Sequence, residues 1–256
     1  MSEKWNLTEA QWSEVMLDGV TPESVAGDLK NGRHLPWTEI LLRCSAESEK
    51  TLDLGSGSGH HSAMLALHGR QTTLLDWSKN NIEFASRLFE VIQREGTFLH
   101  ADMTKPLPFP NNSFDTVFSC GVLEYFTSET IQSILAEAFR VSRKRVIIMV
   151  PNALSIAYRF GMWYMKRKGM WQWGGEVPSY TLKPYFRGTS HSRVTEFSVG
   201  ARHALNFMTM PGGEKIKELC NRALHLKDHS KPTLFRQGYL LITIAEKVVH
   251  ENEGLN

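Results

Sequence analysis

Cysteine is scarce in this chain. Cys44, Cys120 and Cys220 are three, odd in number, widely spaced and without a C-x-x-C pair. That argues against a disulfide framework and a cysteine-based zinc site, and reduced thiols in a cytoplasmic protein are the simplest reading. Long apolar runs are missing as well. No window approaches the ~18 apolar residues of a membrane span, and no N-terminal stretch joins basic residues to the ~7–15-residue apolar core of a secretion signal. Neither sign of charge dominates. A formal net charge of +2 over 256 residues gives no electrostatic reason to expect a nucleic-acid partner or an anionic surface. What remains, 41% hydrophobic and 22% charged, suits one large core or one core with an accessory piece.

Glycine is concentrated where a ligand would need it. Thr51-Leu-Asp-Leu54 is a short apolar run with an embedded acid and reads as a buried strand; Gly55, Gly57 and Gly59 then turn the chain into a helix beginning near Ser58. Such a loop lets backbone approach a ligand closely, and the free N–H groups of the new helix attract a carboxylate or phosphate. Spacing separates two cofactor classes. A dinucleotide fingerprint begun at Gly55 needs glycine at 60, and one begun at Gly57 needs a glycine-like residue at 62; the chain has His60 and Ser62. Gln71–Asp76 reads as a second strand ending in an acid 23 positions after Asp53. A βαβ nucleotide fold hydrogen-bonds ribose hydroxyls at that position.

Alternating elements continue. Ser78 caps a helix carrying Ile82, Ala85, Leu88 and Phe89 that Gly96 closes; Thr97–Met103 is a short strand running into Asp102; residues 106–112 are a turn-rich connection. Phe114 opens a fourth strand, Thr127 or Ser128 caps a helix with Ile131, Ile134, Leu135 and Ala138 on one face, and Arg143-Lys-Arg145 is a turn before the apolar strand Val146–Val150. Five strand-plus-helix units in order predict a doubly wound sheet. Upstream, helices are expected over Thr8–Leu17 and Pro36–Cys44. Downstream, Val194–Leu205 and Gly238–Ala245 are expected as strands, Gly213–Leu224 as a helix, 225–237 as a loop and 246–256 as a frayed tail.

Asp53-x-Gly-x-Gly-x-Gly59, followed by Phe114-Asp-Thr-Val-Phe-Ser-Cys-Gly-Val-Leu-Glu-Tyr-Phe126, resembles the first and fourth motifs of the class I S-adenosylmethionine (SAM)-dependent methyltransferases, of the small-molecule "type 11" kind. The likeness covers Thr51–Val150 and continues more weakly to Ala245. It implies an α/β, Rossmann-like, doubly wound seven-stranded sheet with the last strand antiparallel, helices on both faces and a cap inserted after the fifth strand. SAM would be the cofactor and S-adenosylhomocysteine (SAH) the product. By the same resemblance Asp53, Gly55, Gly57 and Gly59 hold the methionine end, Asp76 the ribose, Trp77 one face of the adenine, and Asp102 its amino group. Met103 packs near the ring and Cys120 lines the crevice. Glu124 and Tyr125 point toward the methyl acceptor, and both a catalytic and a structural role stand open for Glu124. No Asn-Pro-Pro-Tyr signature is present, which disfavours DNA and protein-glutamine acceptors.

The expected organisation is a helical lid over 1–49, a cofactor-binding core over 50–150, a substrate cap over 151–192 and sheet-completing strands over 193–256. Arg33, His34 and Trp37 are lid candidates for contact with cofactor or substrate, although ordinary surface and core positions are the plainer reading. The cap is dense in aromatic residues and methionine around Lys166-Arg167-Lys168. Tyr158, Trp163 and Trp171 are its substrate-side candidates, although a cap helix packed on the core is the plainer reading of such a stripe. Residues 161–175 also fit peripheral contact with a membrane. His191, with Glu124, is a candidate catalytic residue, and Arg193 a candidate anion clamp. His60 and His61, adjacent on a helix, diverge too far to share a metal, and none is expected. The reading is therefore an enzyme that methylates a small molecule, with no nucleic-acid partner. A SAM-binding module without catalysis is the alternative, and an NAD-linked oxidoreductase is the less favoured one.

Overall fold

The computed structural model describes residues 7–187, 192–223 and 236–247. Strands β1 (Lys50–Leu54), β2 (Gln71–Asp76), β3 (Thr97–His100), β4 (Phe114–Cys120) and β5 (Ser142–Pro151) run parallel. With β6 (Ser192–Val199) and β7 (Leu240–Lys247) they form a seven-stranded sheet in the order β3-β2-β1-β4-β5-β7-β6. β7 lies antiparallel between β5 and β6. The helices are α1 (Glu9–Leu17), α2 (Pro22–Lys30), α3 (Pro36–Cys44), α4 (His60–Leu67), α5 (Lys79–Val91), α6 (Ser128–Val141), α7 (Ile156–Arg167), α8 (Ala201–Ala204) and α9 (Gly213–Ala223). This is the Rossmann-like α/β architecture.

Both faces of the parallel strands are covered, which is why they read as continuous apolar runs. Along β5, Val146, Ile148 and Val150 join Leu52, Leu54 and Val117 against Ile131, Ile134, Leu135 and Ala138 of α6. The alternate residues Ile147 and Met149 face the other way, with Phe118, against Trp37, Ile40 and Leu41 of α3. Period-two alternation in a buried strand thus feeds two helical layers.

Several boundaries depart from the sequence expectation. Helix α2 was absent from it. Thr21 caps α2 in a reciprocal capping box with Ser24, Pro22 opens it, and Val25, Ala26 and Leu29 pack on α4 and α5. Arg143, Lys144 and Arg145 belong to β5 rather than to a turn, because Arg143 reaches Asp115 and Lys144 the Glu47 carbonyl, keeping their charges at the rim while the backbone pairs. β6 stops at Val199 rather than continuing to Leu205, since Gly200 takes a left-handed turn at φ +77° into α8. The third strand ends at His100, α4 starts at His60, and α5 ends before Gln93, itself left-handed at φ +55°. Glu246 and Lys247 pair within β7 instead of fraying. The expected loop over 225–237 lies mostly outside the described residues.

Candidate active site

The pocket forms at the carboxyl ends of β1, β2 and β4, where the strand order reverses between β1 and β4. An open α/β sheet leaves its ligand crevice at such a switch point. Gly55, Gly57, Asp76, Trp77, Ala101, Asp102, Met103, Cys120, Gly121, Val122, Tyr125 and Phe126 contribute to its wall, bordering about 520 Å³ of space that includes the solvent at its mouth.

The glycines are obligatory for two reasons. Gly55 and Gly57 sit at φ +76° and +52°, a region that residues with a Cβ avoid. A Cβ at Gly55 would also stand 2.7 Å from the branched Val122 side chain, whereas one at Gly57 would meet only the flexible end of Met16 at 2.9 Å. The loop is tied to β2 by Asp76, whose Oδ2 accepts the Gly57 N–H at 2.8 Å while Oδ1 accepts from Ser78 N at 2.8 Å and Asn81 Nδ2 at 3.3 Å. Burial nevertheless raises the Asp76 carboxyl above its usual range. Asp102 accepts from Thr104 N and Oγ1 through Oδ1. Asp53 stands beneath the loop, buried, and accepts from the Ser62 hydroxyl at 2.8 Å. Desolvation there pushes its carboxyl up to about 7. Asp53 and Gly59, the N-cap of α4, support the loop without lining the pocket.

Behind the wall lies a second polar group. Glu124, in a short 3₁₀ turn over Leu123–Tyr125, is buried, with one carboxylate oxygen 3.7 Å from where a Gly121 Cβ would be. Its other oxygen has no hydrogen-bond partner. Glu176 is buried nearby and accepts the Tyr158 hydroxyl, and Val177 N donates to the Glu124 carbonyl at 3.2 Å. Burial and the charge of Glu176 push Glu124 well above the usual carboxylate range, and burial pushes Glu176 up to about 8. Tyr125 and Tyr239 are raised by burial and by both acids. Among the described residues no Lys, Arg or His forms an ion pair with either acid.

Residues 52–150 match the family described as "Methyltransferase domain". The chain thus resembles a methyltransferase domain over these residues, about two fifths of its length. Among curated proteins, it is 41% identical over 91 residues to demethylmenaquinone methyltransferase of Clavibacter sepedonicus, covering 35% of this chain and 36% of that protein. It is 31% identical over 99 residues to phosphoethanolamine N-methyltransferase 1 of Triticum aestivum, covering 38% and 20%. The matches thus span about a third and a fifth of these relatives' lengths. Among solved structures, magnesium protoporphyrin IX methyltransferase from Synechocystis PCC 6803 with bound SAH aligns with TM-score 0.57 at 15% identity, over 93% of each chain. The PH0226 protein from Pyrococcus horikoshii OT3 aligns with TM-score 0.58 at 15% identity, over 85% and 91%. At such identity these structures establish the fold alone.

The methyltransferase-like domain brings most of the residues singled out in the sequence to one place, and leaves others elsewhere. Gly55, Gly57, Asp76, Trp77, Asp102, Met103, Cys120 and Tyr125 line the pocket. Burial drives the Cys120 thiol far above its ordinary value, so it stands there as an apolar surface. Trp37 lies apart from the pocket wall, in a cluster with His203 and Tyr239 at ring separations of 5.0 and 5.6 Å. Tyr158 joins that cluster through Tyr239 at 5.0 Å and Phe207 at 4.7 Å, and Trp171 packs 6.3 Å from Tyr158. Trp163 is on the outer face of α7. Arg193, at the start of β6, pairs with Glu246 at 2.7 Å, at the end of the sheet away from the pocket. His191 lies outside the described residues. His60 and His61 are both held neutral by burial, at about 4 and about 3, and neither lines the pocket.

Sequence reasoning missed Trp12 and Met16 of α1, which reach the pocket in place of Arg33, His34 and Trp37. The signal was available. Four residues apart on a capped helix, they share one face. Glu176 was missed too, though it is the first acid after a stretch from Asn152 to Gly175 that has none.

Proposed function

We propose that this chain binds SAM in the pocket at the β1–β4 switch point and transfers its methyl group to an oxygen, nitrogen or carbon atom of a small molecule, in the cytoplasm. The observation that carries the cofactor reading is Asp76. Its carboxylate fixes the glycine loop and at the same time lines the pocket, where the acceptor site left on Oδ2 suits a ribose hydroxyl. The glycine cradle, the apolar slot of Trp77 and Met103, and Asp102 at its far side fit the rest of the cofactor.

SAM, when bound, supplies a methyl group already activated on a sulfonium. The residues of the chain then have positioning and electrostatics to provide. Trp12, Met16, Val122 and Phe126 exclude water from the pocket, and near-attack alignment in such a site is worth up to ~7–11 kcal/mol. Glu124 and Glu176 crowd each other without a cation, so they hold protons in the free protein at neutral pH. On this reading the pair, behind the pocket wall, has the task of taking the acceptor's proton when one of them ionises, a contribution of roughly 10²–10⁴-fold. The segment 151–187 supplies Tyr158 and Glu176 and serves as the cap over the acceptor, while α1 serves as the lid over the cofactor.

Calorimetric titration with SAM, SAH and NAD tests the reading. Micromolar binding of both adenosyl ligands and none of NAD is expected. Binding of NAD in preference to SAH would overturn it.

A further inference from the structure

Helix α7 presents two unlike faces. Inward, Tyr158 is buried, and Gly161 packs so closely that a Cβ there would stand 2.2 Å from the Phe207 carbonyl oxygen. Outward, Ile156, Phe160 and Trp163, spaced i, i+4, i+7, are 73, 47 and 49% exposed, and Met170 beyond the helix end is 50% exposed. The rings of Phe160 and Trp163 stack at 5.5 Å, and the Arg167 guanidinium lies 5.1 Å above Trp163. Isolated exposed apolar residues are ordinary; a contiguous stripe of large ones marks an interaction surface.

Charge identifies the occupant. Arg159, Lys166, Arg167 and Lys168 are exposed around the stripe, and among the described residues none of them pairs with a carboxylate. No Asp or Glu occurs between Asn152 and Gly175. A second copy of the chain meeting this face symmetrically would oppose these cations to themselves. An anionic phospholipid surface complements them, with headgroups on the basic rim and the rings at the acyl boundary. Among the described residues no helix is long and apolar enough to cross a membrane. We infer that the outer face of α7 docks this protein peripherally, helix flat, on an anionic phospholipid membrane.

Co-sedimentation with vesicles decides the matter. Vesicles of phosphatidylcholine with a quarter phosphatidylglycerol should bind the full chain at low salt and release it at high salt, whereas pure phosphatidylcholine should bind it far less. Arg167→Gln with Lys168→Gln should weaken partitioning about fivefold per cation, roughly 25-fold together. Phe160→Ser should weaken it on the order of tenfold through lost apolar contact, with thermal midpoint and SAH affinity unchanged. Equal binding to both vesicle types, or binding to neither, would overturn the inference. So would a dimer in solution that Phe160→Ser converts to monomer, which assigns the face to a second copy.

Discussion

Asp76 accepts the backbone N–H of Gly57 at 2.8 Å, joining the cofactor loop to the end of β2 across 19 positions of sequence. Charge-assisted hydrogen bonds of this kind are worth roughly 1.5–3 kcal/mol each. Asp76→Ala loses the loop anchor and, with it, the proposed ribose partner, so SAH affinity should fall on the order of a hundredfold. Titration calorimetry on the folded variant measures it, and affinity equal to that of the parent protein would sink the assignment of this pocket.

Helix α1 closes the pocket through Trp12, whose ring meets Tyr125 edge-on at 5.0 Å. Trp12→Leu should weaken SAH binding by about tenfold, since an aromatic contact of this geometry adds ~0.5–1.5 kcal/mol to the area lost. Arg33→Ala, at an exposed pair with Asp28, should leave SAH affinity unchanged. The reverse pattern would place the lid on residues 33–37.

The buried acid pair makes activity depend on pH in a signed way. Burial raises both carboxyls, that of Glu176 to about 8, so its basic form grows as pH rises through that value, and turnover should climb over that range. Glu176→Gln removes the charge that raises Glu124 and should move this limb to lower pH. Tyr158→Phe removes the hydroxyl that favours ionised Glu176 and should move it to higher pH. A profile unmoved by both substitutions excludes the pair from proton transfer.

Asp53 links stability to pH. Its carboxyl is raised to about 7 by burial, from 3.8. The folded state therefore holds a proton the unfolded chain releases. The resulting stabilisation is complete below about pH 3.8 and lost as pH rises through about 7, an effect of about 4 kcal/mol. Thermal midpoints measured across this window should fall in the parent protein and fall less in Asp53→Asn.

The parallel core and its pocket were legible because they are local. Strands β1, β2, β4 and β5 carry their own apolar runs, α5 and α6 their own caps in Ser78 and Thr127, and the loop chemistry of Gly55 to Gly59 is written in consecutive residues. What was not legible depends on pairing at a distance. Arg143 to Arg145 read as a polar turn until Asp115 and Glu47 supply partners. Arg193 stood as a candidate anion clamp, and only the register of β6 with β7 sets it beside Glu246. Glu176 carries no motif, and its meaning comes only from Glu124, 52 positions earlier in the chain.

The order of the sheet has a consequence for synthesis. β7 ends at Lys247 yet sits between β5 and β6. Until it emerges from the ribosome, β5 keeps an open edge of unpaired N–H and C=O groups, and β6 has no strand to join. The first five strands are free to assemble during translation, but the last two join only once the segment through Lys247 is out. A nascent chain stalled before Leu240 therefore exposes an apolar sheet edge, and chaperone demand should concentrate in that interval.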